Sequence, residues 1–240
     1  MRVYRDSATT LKREIYHQLR RYRPAESEAD SAMAGLTALS ADSTAAERAA
    51  AIRAITTSHI STAERLDHID EFFDAVFART GAVDTVIDVG CGVLPLLFPL
   101  DDARGAAVRQ LWAVDTDKAA IAAVTAYAEL RGDDRIRPFR WDLADGWDAL
   151  TTQGLTRCEV GLLLKVVPVV ARRNPSLLEA LADTPADRLV VSGSRTAMAK
   201  KQNIERRETG VLRRFFRDFG FTEVDEFQTE DEVCFVVERR

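Results

Sequence analysis

The sequence predicts an α/β fold: a mostly parallel seven-stranded sheet that closes in an antiparallel C-terminal hairpin, preceded by a helical N-terminal extension. Three observations carry this. From residue 85 onward, short continuous apolar runs alternate with helical patterns, as in a parallel sheet buried on both faces. A glycine turn, "DVGCG" at 88–92, follows the first of these runs. At the C-terminus, "FTEVDEF" and "EVCFVVER" are separated by a short polar turn, and strands joined so closely run antiparallel.

In chain order, Leu11, Ile15, Leu19 and Tyr22 fall at helical spacing on one face, and an Ala-rich stretch at 32–54 reads as one or two further helices. Ser61 and Glu64 have the capping-box spacing. They predict a helix from about residue 62, with Leu66, Ile69, Phe73, Val76 and Phe77 on its apolar face and Gly81 at its end. Then follow a strand at 85–89, a helix near 94–100, a strand at 110–114, a helix at 117–131 and a strand at 136–140. The run "VGLLLKVV" at 160–167 is the fourth strand, followed by a helix around 175–183 and the strand "RLVVSG" at 188–193. A helix at 204–219 leads through Gly220 into the hairpin. The expected division is a helical extension at 1–58 and a sheet domain at 59–240.

With 240 residues, 46% hydrophobic and 30% charged, the chain has enough material for one substantial core. No apolar run approaches the roughly 20 residues of a membrane span, and the first 23 residues lack the apolar centre of a signal peptide, so the expected location is the cytoplasm. Cys91, Cys158 and Cys234 are far apart, and His17, His59 and His68 fit no metal-ligand spacing. No metal is expected. The net charge of −5 is unevenly distributed: residues 1–23 sum to +5 and residues 195–217 to +6, which leaves the remainder strongly acidic. Two basic segments on an acidic body suit a protein with one polyanion-binding face, although solvated helix faces give the same pattern. Tyr4, Tyr16 and Tyr22, interleaved with the N-terminal arginines, suit either base stacking or core packing.

The glycine turn narrows the ligand. A dinucleotide site calls for a third glycine three residues after Gly92, and Pro95 stands there. An adenosine ligand without phosphates tolerates that proline, and S-adenosylmethionine is the foremost such ligand. Ligands of doubly wound sheets sit beyond the carboxyl ends of the strands. There Asp88 offers a carboxylate to the cationic methionine end, and Gly90 and Gly92 let the backbone come close. Asp115 is placed for the ribose hydroxyls, with Asp117 as the alternative, and Asp142 with Leu143 for the adenine side.

At these residues the chain resembles the Arm/Rmt and FmrO-like 16S rRNA guanine-N7 methyltransferases that confer aminoglycoside resistance, which have the class I, Rossmann-like methyltransferase fold. The likeness lies in "SHISTAERLDHIDEFF", "DVGCGVLPL", "LLLKVVP" and "VVSGSRT". It departs at Leu94, where the family has Asn, at "VVARRN" after Pro168 and at "AMAKKQN" after Thr196. The resemblance implies methyl transfer to a decoding-site guanine of the 30S subunit, by a monomer whose N-terminal extension docks on the RNA. Guanine N7 carries a free lone pair, so no proton-removing base is needed, and catalysis becomes positioning of a flipped base. Lys165 and Arg195, at the ends of the fourth and fifth strands, are the expected catalytic residues. For Lys165 the structural alternative is a side chain snorkelling from a strand end, and for Arg195 a general phosphate contact. Lys12, Arg13, Arg20, Arg21 and Arg23, with Lys200, Lys201, Arg206 and Arg207, are the expected RNA contacts. A small-molecule methyltransferase and a non-catalytic RNA-binding protein of the same fold are the competing readings.

Overall fold

The computed structural model describes residues 26–40, 42–196 and 203–240. Seven strands form one sheet in the order β3-β2-β1-β4-β5-β7-β6. They are β1 (Thr85–Val89), β2 (Gln110–Asp115), β3 (Ile136–Arg140), β4 (Cys158–Leu164), β5 (Ala186–Ser194), β6 (Phe221–Gln228) and β7 (Glu232–Arg239). The first five run parallel, and β7 inserts antiparallel between β5 and β6, with Ser192 opposite Cys234 and Ser194 opposite Glu232.

The described helices are α1 (Glu26–Thr37), α2 (Ala45–Thr57), α3 (Ile60–Ala63), α4 (Ile69–Thr80), α5 (Lys118–Arg131), α6 (Asp148–Thr151), α7 (Val166–Arg173), α8 (Leu178–Ala182) and α9 (Glu205–Asp218). They bury the sheet on both faces. One layer of core holds Phe72, Phe73, Val86, Phe98, Leu111, Val124 and Val160, and it also takes in Ala32 and Leu36 of α1 and Ile55 of α2. The other holds Ile87, Trp112, Trp141, Leu163, Val191, Leu212, Phe216 and Phe235. Local chemistry sets the ends of several helices. Thr44 and Glu47 form a reciprocal capping box at α2, and Asp117 caps α5, which stops at left-handed Gly132.

Four expectations are corrected. The capping box does not sit at Ser61 and Glu64: Ser61 lies inside the single turn α3, whose N-cap is His59, and Glu64 is drawn away to Lys165. The helix placed from residue 62 is therefore broken, into α3, a 3-10 turn at Leu66–His68 and α4. The helix near 94–100 is only a 3-10 turn at Leu94–Leu97, because Phe98 already has extended backbone. The apolar run at 160–167 hides a boundary: β4 ends at Leu164, Lys165 takes a left-handed conformation, and Val166 opens α7, which sequence periodicity did not disclose. The helix expected around 175–183 is split into a 3-10 turn at Pro175–Leu177 and α8. The stripe of Leu11, Ile15, Leu19 and Tyr22 lies outside the described residues.

Candidate active site

The carboxyl ends of β1, β2 and β3 open onto a cleft of about 250 Å³ whose far wall is α7 and the turn after it. Val89, Val114, Trp141, Leu143, Val166, Val170 and Leu177 give it apolar walls, and Gly90, Asp115, Thr116, Asp142, Arg173 and Asn174 supply polar edges. Trp141 is held in place by Trp147, with ring centroids 4.4 Å apart, and by its indole N–H donating to the Gly146 carbonyl at 2.9 Å. The glycine turn forms the floor. Gly90 has φ 69°, and a Cβ there would come within 2.9 Å of Val166 Cγ2, so its hydrogen lets α7 approach the turn.

Each expected cofactor residue has a definite place. Gly90 N–H donates to the Val114 carbonyl at 2.8 Å, tying the turn to β2. Asp115 accepts from Gly92 N–H and from Asp117 N–H, both at 2.8 Å, which holds its carboxylate at the cleft edge with lone pairs to spare. Asp117, the alternative acid, caps α5 by accepting from Ala119 and Ala120 N–H. Asp142 caps the 3-10 turn at Leu143–Asp145 through Ala144 N–H at 2.9 Å.

Asp88 is the unusual member. It is 1% exposed, and neither carboxylate oxygen has a hydrogen-bond partner among the described residues. Burial pushes its pKa up to about 7, with nearby Arg65 pulling down and Asp115 pushing up. A carboxylate so placed lacks a hydrogen-bonding partner. The buried Thr62 hydroxyl is likewise unpartnered and lies against the glycine turn, 4.0 Å from where a Gly92 Cβ would be. These two orphaned groups beside a glycine cradle, with an apolar cleft for a flat ring, fit S-adenosylmethionine. That ligand carries an ammonium group, and its adenosine needs no phosphate pocket. The absence of a third glycine fits as well.

Beyond Asp88 lies an ion network that sequence reasoning missed. Glu232, fully buried, accepts from Arg65 Nε at 2.5 Å and Nη2 at 2.9 Å and from the Ser192 hydroxyl at 2.5 Å. Lys165 Nζ pairs with Glu64 and lies 3.4 Å from Glu232. Burial alone would raise the pKa of Glu232, but Arg65 and Lys165 hold it down at about 2. Lys165 is the only non-glycine residue with positive φ among the described residues, at 64°, and its N–H donates to both the carbonyl and the hydroxyl of Ser192 at 3.1 Å. The strained backbone turns the side chain from the strand end into this network. The partners are separated by up to 167 residues, so no local spacing signals them; "AERLD", within the stretch that carries the family likeness, was the available clue.

Arg195 does not join that network. Its Nε donates to Glu205 at 2.9 Å and its Nη1 to the Thr229 carbonyl at 2.7 Å, which braces the end of β5 against the start of α9 and the β6–β7 turn. Arg206 and Arg207 are exposed on α9. Lys12, Arg13, Arg20, Arg21, Arg23, Lys200 and Lys201 lie outside the described residues. Among the described residues no group of three or more His, Cys, Asp or Glu side chains is arranged to hold a metal, and no helix is long and apolar enough to cross a membrane.

Several known proteins resemble this chain in sequence and fold. A family model described as ribosomal RNA methyltransferase (FmrO) matches residues 34–208. A 16S rRNA (guanine(1405)-N(7))-methyltransferase of Micromonospora echinospora is 40% identical over 50 residues, which span 21% of this chain and 18% of that relative. The crystal structure of 16S rRNA methyltransferase RmtF in complex with S-adenosyl-L-homocysteine is 27% identical, superimposes with a TM-score of 0.72 and covers 98% of this chain and 84% of its own. The 16S rRNA methylase RmtB, at 17% identity and a TM-score of 0.65, covers 98% of this chain and 83% of its own and shares the fold.

Proposed function

The chain belongs to the FmrO family of ribosomal RNA methyltransferases, and from that membership we propose that it transfers a methyl group from S-adenosylmethionine to N7 of a guanine in 16S rRNA of the 30S subunit. The observation that carries the cofactor half is the buried, unpartnered Asp88 carboxylate beside the glycine turn. The nucleotide half is supported by the relatives named above, which are 16S rRNA methyltransferases. When bound, the cofactor supplies an electrophilic methyl group. Asp88 would hold its ammonium, Asp115 its ribose hydroxyls, and Asp142 and Leu143 the edge of its adenine, with Trp141 supplying an apolar wall of the cleft.

N7 attacks with its own lone pair, so the chain has no proton to remove there. Its remaining task is to hold the base in line and exclude water. Lys165, at the end of β4 and held by Glu64 and Glu232, is the cation we assign to that task. Arg195, with its Nε and Nη1 engaged, serves as a positioning residue that fixes the start of α9 and the β6–β7 turn around the target. The basic residues of 1–23, with Lys200, Lys201, Arg206 and Arg207, supply the docking charge. Such an enzyme works as a monomer in the cytoplasm, where ribosomes are, and its product protects the ribosome from aminoglycosides. The test is incubation with 30S subunits and labelled cofactor, followed by mass spectrometry of 16S rRNA. One methyl group at a guanine N7 is expected. Label on another atom, or none, overturns the assignment.

A further inference from the structure

The end of α7 and the start of α9 share a feature that neither the cofactor site nor the family likeness accounts for. Helix α7, "VVPVVARR", ends in two arginines and contains no acidic residue. Arg172 Nη1 donates to both oxygens of Glu208 on α9, at 2.9 and 3.2 Å. Arg207 donates to Glu208 Oε1 from Nε at 3.2 Å and Nη2 at 3.0 Å. Glu208 itself is almost wholly buried. It seats against Gly193 of β5, where a Cβ would come within 3.0 Å of the Glu208 Cβ. One buried carboxylate thus aims two guanidinium groups from different helices at a common patch, while their side chains stay 36% and 57% exposed. The next residue, Arg173, is exposed, lines the cofactor cleft and has no hydrogen-bonding or ionic partner among the described residues.

Two cations are therefore gathered by one carboxylate, and a third, Arg173, follows Arg172 in sequence and stands at the cleft edge without touching Glu208. S-adenosylmethionine carries no phosphate, so the proposed cofactor does not call for them. Favourable interaction with the helix dipole accounts for basic residues in the last turn of α7, but not for a carboxylate buried on another helix that orients Arg172 and Arg207 together. Arginine forks suit phosphate oxygens, and contacts to phosphates set the register of a nucleic acid on a protein. We infer that Arg172 and Arg207, oriented by Glu208, together with the neighbouring Arg173, unpaired among the described residues, form a phosphodiester-binding patch that holds the RNA backbone beside the target nucleotide. This rests on the reading of the chain as an rRNA methyltransferase.

The full chain saturated with S-adenosylhomocysteine is titrated with 30S subunits between about 50 and 200 mM salt. Arg172→Ala/Arg173→Ala is expected to lower affinity about tenfold and to make the salt dependence shallower by about 1.5 in log–log slope, two phosphate contacts being lost. Arg173→Ala alone, which removes no intramolecular contact, should show a smaller loss with an unchanged melting temperature. Arg109→Ala/Arg157→Ala, which removes two cations at the opposite end of the sheet, should bind as wild type does. If both Arg173 variants keep wild-type affinity and slope while the wild type binds 30S, the patch is overturned and the rRNA reading stands. If the wild type shows no salt-dependent affinity for 30S, both fall. Loss of S-adenosylhomocysteine affinity in Arg173→Ala, measured by calorimetry, would assign that arginine to the cofactor and overturn the patch.

Discussion

Asp88 and Glu232 are both buried carboxylates near Arg65, yet they are held in opposite protonation regimes. Glu232 has two cations and a hydroxyl, and its pKa falls from 4.5 to about 2; the stability it contributes is present above pH 4.5 and lost as pH falls towards 2. Asp88 has no hydrogen-bond donor, and burial raises its pKa from 3.8 to about 7. The sign is then reversed. Below about pH 4 folded and unfolded chains both carry the proton; between 4 and 7 only the unfolded chain releases it, so stability falls, by on the order of 4 kcal/mol once pH exceeds 7. Asp88→Asn removes this titration. The cofactor-free variant should unfold at higher denaturant than wild type at pH 8, with the gap closing towards pH 4. Its cofactor affinity should nevertheless drop at least about tenfold, since the ammonium loses a charged partner worth roughly 1.5–3 kcal/mol. Parallel pH profiles for the two proteins would show that Asp88 is not the isolated carboxylate described.

At the level of elements, the glycine turn and α7 work as a pair. Gly90 has φ 69° and its missing Cβ is the space that Val166 occupies. Gly90→Ala imposes the left-handed cost on an L-residue, about 1–2 kcal/mol, and also pushes α7 off the turn, opening the cleft wall. We expect a lower denaturant midpoint together with weaker S-adenosylhomocysteine binding. A drop in midpoint with unchanged cofactor affinity would separate the turn from the cleft. The strands were readable because a parallel sheet leaves continuous apolar runs such as "TVIDV" and "CEVGLLL", and the glycine turn after the first of them was readable in "DVGCG". Helix α7 was not readable. Its valines extend the apolar run of β4, and Pro168 argues against a helix unless it falls in the first turn, where its missing N–H has no partner to lose. The boundary is set by the backbone of Lys165, which is anchored by Ser192 on the neighbouring strand. The Glu64–Lys165 and Arg65–Glu232 pairs were hidden for the same reason: long-range partners override the local spacing of "STAE".

For the whole molecule, the question is whether the segment before residue 59 can be separated from the sheet. Its charge suits a docking device, but its described part is built into the core. Ala32 and Leu36 of α1 and Ile55 of α2 belong to the same buried cluster as Val86, Leu111 and Val124, with Met33, Leu39 and Ile52 packed around it. Helix α1 lies against α5, and α2 against the Leu94–Leu97 turn that follows Gly90 and Gly92. Removing residues 1–58 would take away Leu36 and Ile55, each worth about 1.5–3 kcal/mol of burial, and would expose the sheet-side groups they cover. Against the 5–15 kcal/mol typical of a folded domain, this is a large fraction. A 59–240 fragment should therefore unfold at a markedly lower urea midpoint than the full chain. It retains Asp88, Asp115, Asp142 and α7, so whatever fraction stays folded should still bind S-adenosylhomocysteine, and the ligand should raise its midpoint. A fragment with the full chain's midpoint would instead make the extension an independent module. One that folds yet no longer binds the ligand would place cofactor contacts before residue 59.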